Sequence, residues 1–225
     1  MAKTKTLLVL RTEIRNRGDF QDPYFTDTEV NAYINDSIAA LWDIIIATDP
    51  TRYVSQADIS VVSGTRSYSL PSDYYLLQGV EITDSSAPSG YRTMHKYNWH
   101  ERNDGILSNV KWDARYELRG NKIWFHPTPT WTDTVQIHYI PTATVLSGDS
   151  DTFDSINSWS EWVVLDVCIK CADKEEVSSK SWREQKDRVE ARIISVVPQD
   201  RGEPVTVTNV YNNRKRTRYT PWEQG

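Results

Sequence analysis

The chain has 225 residues, of which 38% are apolar, and a formal net charge of −5 at pH 7. This length allows one sizeable domain or two small ones, and the acidic balance argues against general binding of nucleic acid. The longest apolar runs fall short of the ~20 residues that span a bilayer, and LLVL is too short for a secretory signal core of ~7–15 residues. Two cysteines provide no disulfide framework, so we expect a protein made in a reducing cytoplasm.

The first predicted element is a short helix near the beginning of the chain. Leu7, Leu10 and Ile14 lie three and four residues apart, which is the spacing of one helix face. Gly18 follows this pattern, and glycine commonly follows the last residue of a helix. We therefore predict a helix that ends just before Gly18.

The clearest predicted helix covers about residues 27–47. Thr26 and Glu29 form a capping box, in which each side chain accepts a hydrogen bond from a free amide of the first turn. Pro50 is expected to stop the helix. One apolar stripe runs along it: Val30, Ile34, Ile38, Leu41, Trp42 and Ile45.

Residues 55–145 change to the alternating pattern of β-strands. Alternation on both sides of Gly64 predicts a first hairpin, and YELRGNKIWF (116–125) predicts a second hairpin with its turn at Gly120-Asn121. LLQGVEIT (76–83) and TVQIHYIP (134–141) predict further strands. The segment 84–114 is loop-rich and aromatic.

Two more helices are predicted after the strands. Ser158 and Glu161 repeat the capping box, and between 162 and 172 only Asp166 and Lys170 are polar, at a spacing that lets them pair. A helix that is apolar nearly all round must be covered nearly all round, and a neighbouring subunit is one way to cover it. We therefore assign these side chains to a subunit interface: Trp159, Trp162, Val163 and Ile169. A charge-rich helix continues to about residue 195.

These elements predict an α+β fold. Residues 1–54 and 155–198 would form a helical core, and residues 55–154 would form an inserted antiparallel sheet or open barrel. Residues 199–225 would form an extended C-terminal arm.

No pattern in the sequence calls for catalysis, a cofactor or a metal. Cys168 and Cys171 form a C-x-x-C in the middle of an apolar helix, where small buried hydrophobic residues are the better interpretation. The four histidines are scattered, although His126 and His138 could be neighbours across strands. Asp149, Asp151 and Asp154 alternate, but the Gly and Glu of a calcium loop are missing. We predict that the protein is not an enzyme.

The C-terminal arm is basic in an otherwise acidic chain. Residues 201–225 contain five basic and two acidic residues. Fully extended, twenty-odd residues span on the order of 70 Å at ~3.3 Å each. A segment that has aromatic anchors but no core of its own is typical of coupled folding and binding. We assign these residues to the binding of a partner: Val205, Val207, Val210, Tyr211, Arg214, Lys215, Arg216, Arg218, Tyr219 and Trp222.

Two other functions fit parts of the sequence. The aromatic segment 84–131, with Trp99 and Trp112, could stack on sugar rings and make the protein a carbohydrate-binding β-module. The arm residues between Arg214 and Arg218 could bind DNA, in which case binding would weaken steeply with salt.

The succession of TDTEVNAYINDSIAALWDIII (26–46), YELRGNKIWFHPTPTWTDTVQIHYIPTAT (116–144) and WSEWVVLDVCIKCADKEE (159–176) resembles the head–tail adaptor, or connector, proteins of tailed bacteriophages. The resemblance covers roughly residues 20–200, and the arm is similar in kind rather than in letters.

The resemblance implies a structural virion protein, assembled in the host cytoplasm as a ring of twelve subunits beneath the portal protein. C-terminal arms of that family dock into the portal, and the other face of the ring receives the next neck or tail protein. The resemblance implies no catalytic residues. DNA is expected to pass through the channel without specific binding, because an acidic wall repels a polyanion.

Overall fold

The computed structural model of the chain describes residues 4–20, 23–101 and 110–197. The α-helices within these ranges are α1 (Leu7–Gly18), α2 (Asp27–Thr48), α3 (Ser160–Lys174) and α4 (Lys180–Val196). The strands are β1 (Thr4–Thr6), β2 (Ser55–Val61), β3 (Ser67–Ser69), β4 (Tyr74–Thr83), β5 (Tyr91–Thr93), β6 (His95–Lys96), β7 (Arg115–Arg119), β8 (Lys122–His126), β9 (Asp133–Pro141) and β10 (Thr152–Asp154). The mixed α+β class is therefore confirmed.

Helix α2 forms as its stripe predicts. Thr26 is the N-cap, and its Oγ1 accepts a hydrogen bond from the amide of Glu29 at 3.3 Å. The carboxylate of Glu29 instead receives hydrogen bonds from Lys174 of α3. The apolar stripe is buried except for Trp42, which is half-buried and packs on Tyr53 with ring centres 4.3 Å apart.

The end of helix α1 differs from the prediction. Gly18 is the last residue of the helix, and Asp19, with φ of 54°, adopts the left-handed conformation expected for the glycine. Gly18 is small for another reason, because a Cβ there would lie 2.0 Å from the ring of Phe20. That ring is 1% exposed and packs on Phe25 and Trp182.

We expect Gly18→Ala to destabilise the protein although alanine is the better helix former. The new methyl group would displace Phe20 from the core, and overpacking of this kind costs about 1–3 kcal/mol, more than the ~1 kcal/mol gained in helix propensity. Chemical denaturation measures the free energy of unfolding. Gly79→Ala is the matched control because its Cβ would meet nothing within 4 Å. Equal stability of Gly18→Ala and the wild type would contradict this packing.

Helix α3 begins differently from the predicted capping box. Ser158 has a φ of 64° and lies before the helix, whose first amide, that of Ser160, donates to Ser155 Oγ at 3.2 Å. Glu161 pairs with Arg17 of α1 at 2.7 Å. The predicted cap at Ser158 is therefore wrong. Ser155, and not Ser158, accepts the hydrogen bond from the start of the helix, and the carboxylate of Glu161 pairs with α1 instead of completing a capping box.

Helices α2, α3 and α4 are joined by a polar cluster around Asp166, which is 9% exposed. Its carboxylate accepts hydrogen bonds from Ser37 at 2.7 Å and Lys186 at 2.9 Å, and it pairs with Lys170 at 3.0 Å as predicted. Burial alone would raise the pKa of Asp166, but the bonds from Lys186, Ser37 and Lys170 outweigh it and hold the pKa below its usual value. The cluster therefore keeps its charges paired.

The two helices predicted after the strands are confirmed, and a short break separates them. The break at 175–179 includes Glu176, whose φ is 57°. Helix α4 turns back onto α3 and buries Ile193 and Val197, with Trp182 and Val189 packed at the edge of the core. Its opposite face is exposed and rich in charge.

The strands between 55 and 141 form two four-stranded sheets, with orders β2-β9-β4-β5 and β3-β8-β7-β6. All neighbours are antiparallel except β6 and β7. Apolar side chains from both sheets share one core, and within the described ranges neither sheet closes into the open barrel that the sequence allowed. The buried members of this core are Ile59, Val61, Leu70, Val80, Ile82, Met94, Ala114, Ile123, Phe125, Val135, Ile137 and Tyr139.

The predicted hairpin around Gly64 is wrong. Strand β2 pairs with β9, whereas β3 pairs with β8, so the chain crosses from one sheet to the other at Gly64. The second hairpin is confirmed, with β7 and β8 joined through Gly120, whose φ is 58°. His126 and His138 are not cross-strand neighbours, since they lie on strands of different sheets.

A two-stranded ribbon of β1 and β10 lies beside the helices and leads into α1. The helices from both ends of the chain share a second core, and Trp42 connects it to the strands by donating a hydrogen bond to the carbonyl of Pro141 at 3.0 Å. Among the described residues, no helix combines the length and apolar character needed to cross a membrane.

Candidate functional site

The predicted partner-binding arm lies outside the described residues. This applies to every residue assigned to it: Val205, Val207, Val210, Tyr211, Arg214, Lys215, Arg216, Arg218, Tyr219 and Trp222. The alternative assignment of the same basic residues to DNA binding also falls there. Both assignments stay predictions.

The predicted interface helix is covered by the chain itself. Trp159, Trp162, Val163 and Ile169 are 2%, 2%, 0% and 5% exposed, and α1, α2 and α4 pack around α3. The observation that led to a subunit interface, an apolar surface without a cover, therefore no longer supports one. A contact of these four residues with another subunit stays a prediction without that support.

The cysteines behave as small apolar side chains. Cys168 and Cys171 are buried and unbonded to each other, and burial raises the pKa of each thiol to about 12. A reactive thiol needs a lowered pKa and access to solvent, so this C-x-x-C has neither property of a redox pair.

The candidate metal ligands do not come together. Asp149 pairs with Arg11 at 2.8 Å, and Asp151 accepts hydrogen bonds from the amides of Ser147 and Gly148 within its own loop. In the parts of the chain that the structure describes, no group of three or more His, Cys, Asp or Glu residues is arranged to hold a metal ion.

The exposed tryptophans already contact cations. Trp112 has the guanidinium of Arg92 4.7 Å and the ammonium of Lys111 4.5 Å from its ring centre. Trp99 has the guanidinium of Arg119 at 5.6 Å. Sugar stacking requires an open ring face, so this geometry does not favour the carbohydrate-binding alternative.

A cleft of about 170 Å³ lies between α2 and the ribbon. Its walls are largely apolar and include Ile38, Trp42 and Phe153. At its edge, Asp154 Oδ1 is buried and has no hydrogen-bond partner among the described residues. Burial, followed by the charge of Asp154, raises the pKa of the neighbouring Tyr53 hydroxyl. A cleft of this size holds one ring-sized group.

The outer face of the second sheet carries a basic surface that the sequence analysis missed. On β7, Tyr116 and Leu118 pack against the core, so alternation places Arg115, Glu117 and Arg119 on the opposite face. On β8 the same rule places Lys122, Trp124 and His126 on that opposite face, where Lys122 is exposed, Trp124 is half-buried and His126 is buried. We call the following set the basic face: Arg66, Arg115, Glu117, Arg119, Lys122 and Trp124.

His126 organises one end of the basic face. Arg66 donates to His126 Nδ1 at 2.7 Å, and His126 Nε2 lies 2.9 Å from Glu117. Because Nδ1 accepts a hydrogen bond, the ring is neutral and Nε2 donates to the carboxylate. Tyr97 stacks on the ring, with centres 4.0 Å apart. Burial, followed by the charge of Arg66, lowers the pKa of His126 below its usual value.

We expect the stability of the strand region to fall as the pH drops from 7 to 5. The lowered pKa of His126 stabilises the fold fully above the ordinary histidine pKa of ~6.5, and this contribution is lost as the pH falls through the lower folded value. Denaturation at pH 7, 6 and 5 measures the effect, with His126→Asn as the comparison because its side chain does not titrate. The same pH dependence in both proteins would show that His126 does not control it.

Helix α2 presents a surface of opposite character. Its 22 residues include four acidic ones and no Lys, Arg or His. Asp27 and Glu29 pair with cations, whereas Asp36 and Asp43 lie on the exposed side. After the first turn of α2, the exposed positions form one stripe, which we call the acidic stripe: Ala32, Asp36, Ala39, Ala40, Asp43 and Ala47.

Comparison with known proteins gives one informative result. Residues 5–208 match the model of a protein family described as SU10 adaptor protein. No curated protein matches the chain.

Proposed function

The chain belongs to the SU10 adaptor family, a family of phage head–tail adaptors, and we propose that it forms the ring that docks beneath the portal and links the DNA-filled head to the tail or neck. The family match carries the proposal. It covers residues 5–208, which include helices α1 to α4 and strands β2 to β10. Adaptors of this kind are components of the virion at the head–tail junction.

The ring is proposed to contain twelve subunits, with residues 1–54 and 155–198 as its helical body and 55–154 as an insertion. Association with portal and tail components and oligomerisation follow from membership of an adaptor family. The number of subunits and the division of the chain into helical body and insertion are part of the proposal. Trp159, Trp162, Val163 and Ile169 would support the subunit contacts from inside the helical body.

The arm, residues 199–225, is proposed to bind the portal protein. Residues 201–225 have five basic and two acidic residues, whereas the chain as a whole has a net charge of −5. Its Tyr and Trp residues supply the large anchors that dominate interface energies, and its Val residues suit the addition of a strand to a partner's sheet edge. The downstream neck or tail protein would bind the opposite face of the ring, and DNA would pass through the channel without specific binding.

The proposed function requires no catalysed reaction. The thiols are buried, and the cluster around Asp166 pairs its charges within the helical body. We therefore propose that the protein acts by assembly, in the host cytoplasm and then in the virion.

Electron microscopy of the purified protein mixed with portal rings tests the proposed function. We expect an added ring on one end of each portal, with the order read from the rotational symmetry of class averages. An unrelated acidic protein of similar size, mixed with the same portal rings, serves as a control for non-specific adhesion. Portals that stay bare at micromolar protein, and particles that lack this chain at the head–tail junction, would refute the adaptor role.

A further inference from the structure

We propose that the basic face is a docking surface for the acidic stripe of a second copy of this chain. The proposal deepens the adaptor function above and rests on it, because it names the surfaces through which neighbouring subunits of the ring meet. The basic face and the acidic stripe are different surfaces, so the contact is heterologous, the type that closes into rings when the rotation permits.

The charge of the basic face is unusual for this protein. It combines four cationic residues with one carboxylate, in a chain that contains 31 acidic and 26 basic residues. Arg66, Arg119 and Lys122 are exposed, and Arg115 is half-buried. Glu117 pairs with Arg119 at 2.7 Å and also contacts His126, whereas Arg66 donates to two neutral groups, the ring of His126 and the carbonyl of Phe125. A surface of this kind favours an acidic partner.

The guanidinium groups of the basic face are held in place before any partner arrives. Arg66 and Arg119 lie 5.7 Å and 5.0 Å from the ring centre of Trp124. Stacked guanidiniums lose less freedom when they bind, and their planar forks suit carboxylates. The same stacking covers Trp124, so its ring is a poor platform for nucleic-acid bases or sugars. These contacts favour a carboxylate-bearing protein surface over either of those ligands.

The acidic stripe supplies such a surface within the same chain. Asp36 has no hydrogen bond or ion pair among the described residues, and Asp43 accepts one hydrogen bond, from the hydroxyl of Tyr75 at 2.7 Å. Alanines occupy the other exposed positions, so a second surface with long Arg and Trp side chains can approach closely. From Ala32 to Ala47 the stripe rises by 15 steps of 1.5 Å, or about 22 Å, a length similar to that of a five-residue strand pair with its flanking loops.

A charge-swap experiment on the full chain tests the pairing. Variant B is Arg66→Glu with Arg119→Glu, variant A is Asp36→Lys with Asp43→Lys, and variant AB carries all four changes. Adaptor rings on portals are counted by electron microscopy, and self-association is measured by sedimentation velocity at low and high salt. The control is Glu184→Lys with Asp187→Lys, because both carboxylates are exposed on α4, away from the stripe.

We expect B and A each to lower the fraction of complete rings at least ~tenfold, and AB to restore it, because only the pair recovers opposite charges. The control variant should form rings like the wild type. Circular dichroism and thermal unfolding verify that each variant is folded. If B does not fold, Arg66→Gln with Arg119→Gln takes its place, with an expected smaller loss.

Other results overturn the inference. Complete rings of B and A would show that neither surface is needed. Loss with B that AB does not restore would assign the basic face to another acidic protein, and a shift of duplex DNA by the wild type but not by B would assign it to DNA. Absence of rings with the wild type would instead refute the proposed adaptor function, so the two failures are distinguishable.

Discussion

A chain shortened to residues 1–202 should fold normally and fail to attach to portals. The side chains of both hydrophobic cores lie between Leu7 and Val197, so removal of 203–225 takes away no core residue described in the structure. The truncated protein should therefore unfold within a few degrees of the full chain. Portal occupancy, counted by electron microscopy, should fall to background, because the proposed anchors are gone.

Two sets of substitutions in the arm distinguish the contribution of its charge from the contribution of its aromatic anchors to portal attachment. Replacing Arg214, Lys215, Arg216 and Arg218 by alanine removes the charge and should weaken attachment most at low salt, where ion pairs are least screened. Replacing Tyr211, Tyr219 and Trp222 by alanine removes the large anchors, each of which is typically worth more than ~1 kcal/mol at an interface core. A shortened chain that still decorates portals normally would disprove the role of the arm.

Trp162→Ala should strongly destabilise the isolated subunit rather than only separate subunits. The side chain is 2% exposed, its Nε1 donates to Glu190 at 3.1 Å, and the ammonium of Lys186 lies 4.8 Å from its ring centre. Truncation of a buried tryptophan costs about 3–5 kcal/mol, a large part of the ~5–15 kcal/mol that stabilises a typical domain. Urea denaturation, at protein concentrations too low for oligomers to form, measures the decrease in the free energy of unfolding.

The matched control is Trp99→Ala, because that ring is 54% exposed and its loss should change the free energy of unfolding by no more than ~0.5 kcal/mol. The opposite outcome for Trp162→Ala is informative. A variant that is as stable as the wild type but forms no rings would support the original assignment of Trp162 to the subunit interface.

The individual helices and strands could be predicted from the sequence more accurately than the helices or strands that each of them contacts. Helix α2 could be predicted because its stripe repeats over a long segment and Thr26 caps it. Alternation identified the strand segments on both sides of Gly64, but it carries no information about which sheet each strand joins. The hairpin there was wrong for that reason.

The same limit explains the interface helix and the basic face. Apolar residues all round α3 correctly indicated that it would be covered, but the pattern could not show that the chain's own helices cover it. The basic face combines residues from 66 to 124 that meet only when β3, β7 and β8 pair. Arg115, Glu117 and Arg119 alternate with Tyr116 and Leu118, and this alternation was the local signal available in the sequence.

The two buried thiols have a consequence for a particle that must survive outside its host. Burial raises the pKa of each thiol to about 12, so both sulfurs stay protonated at pH 7, and the ionised form is the one that peroxides attack. Air and oxidants in the environment would therefore leave Cys168 and Cys171 intact for as long as the helices around them stay folded. Mass spectrometry of aged virions would find both sulfurs unmodified, and oxidation would mark the subunits that have opened.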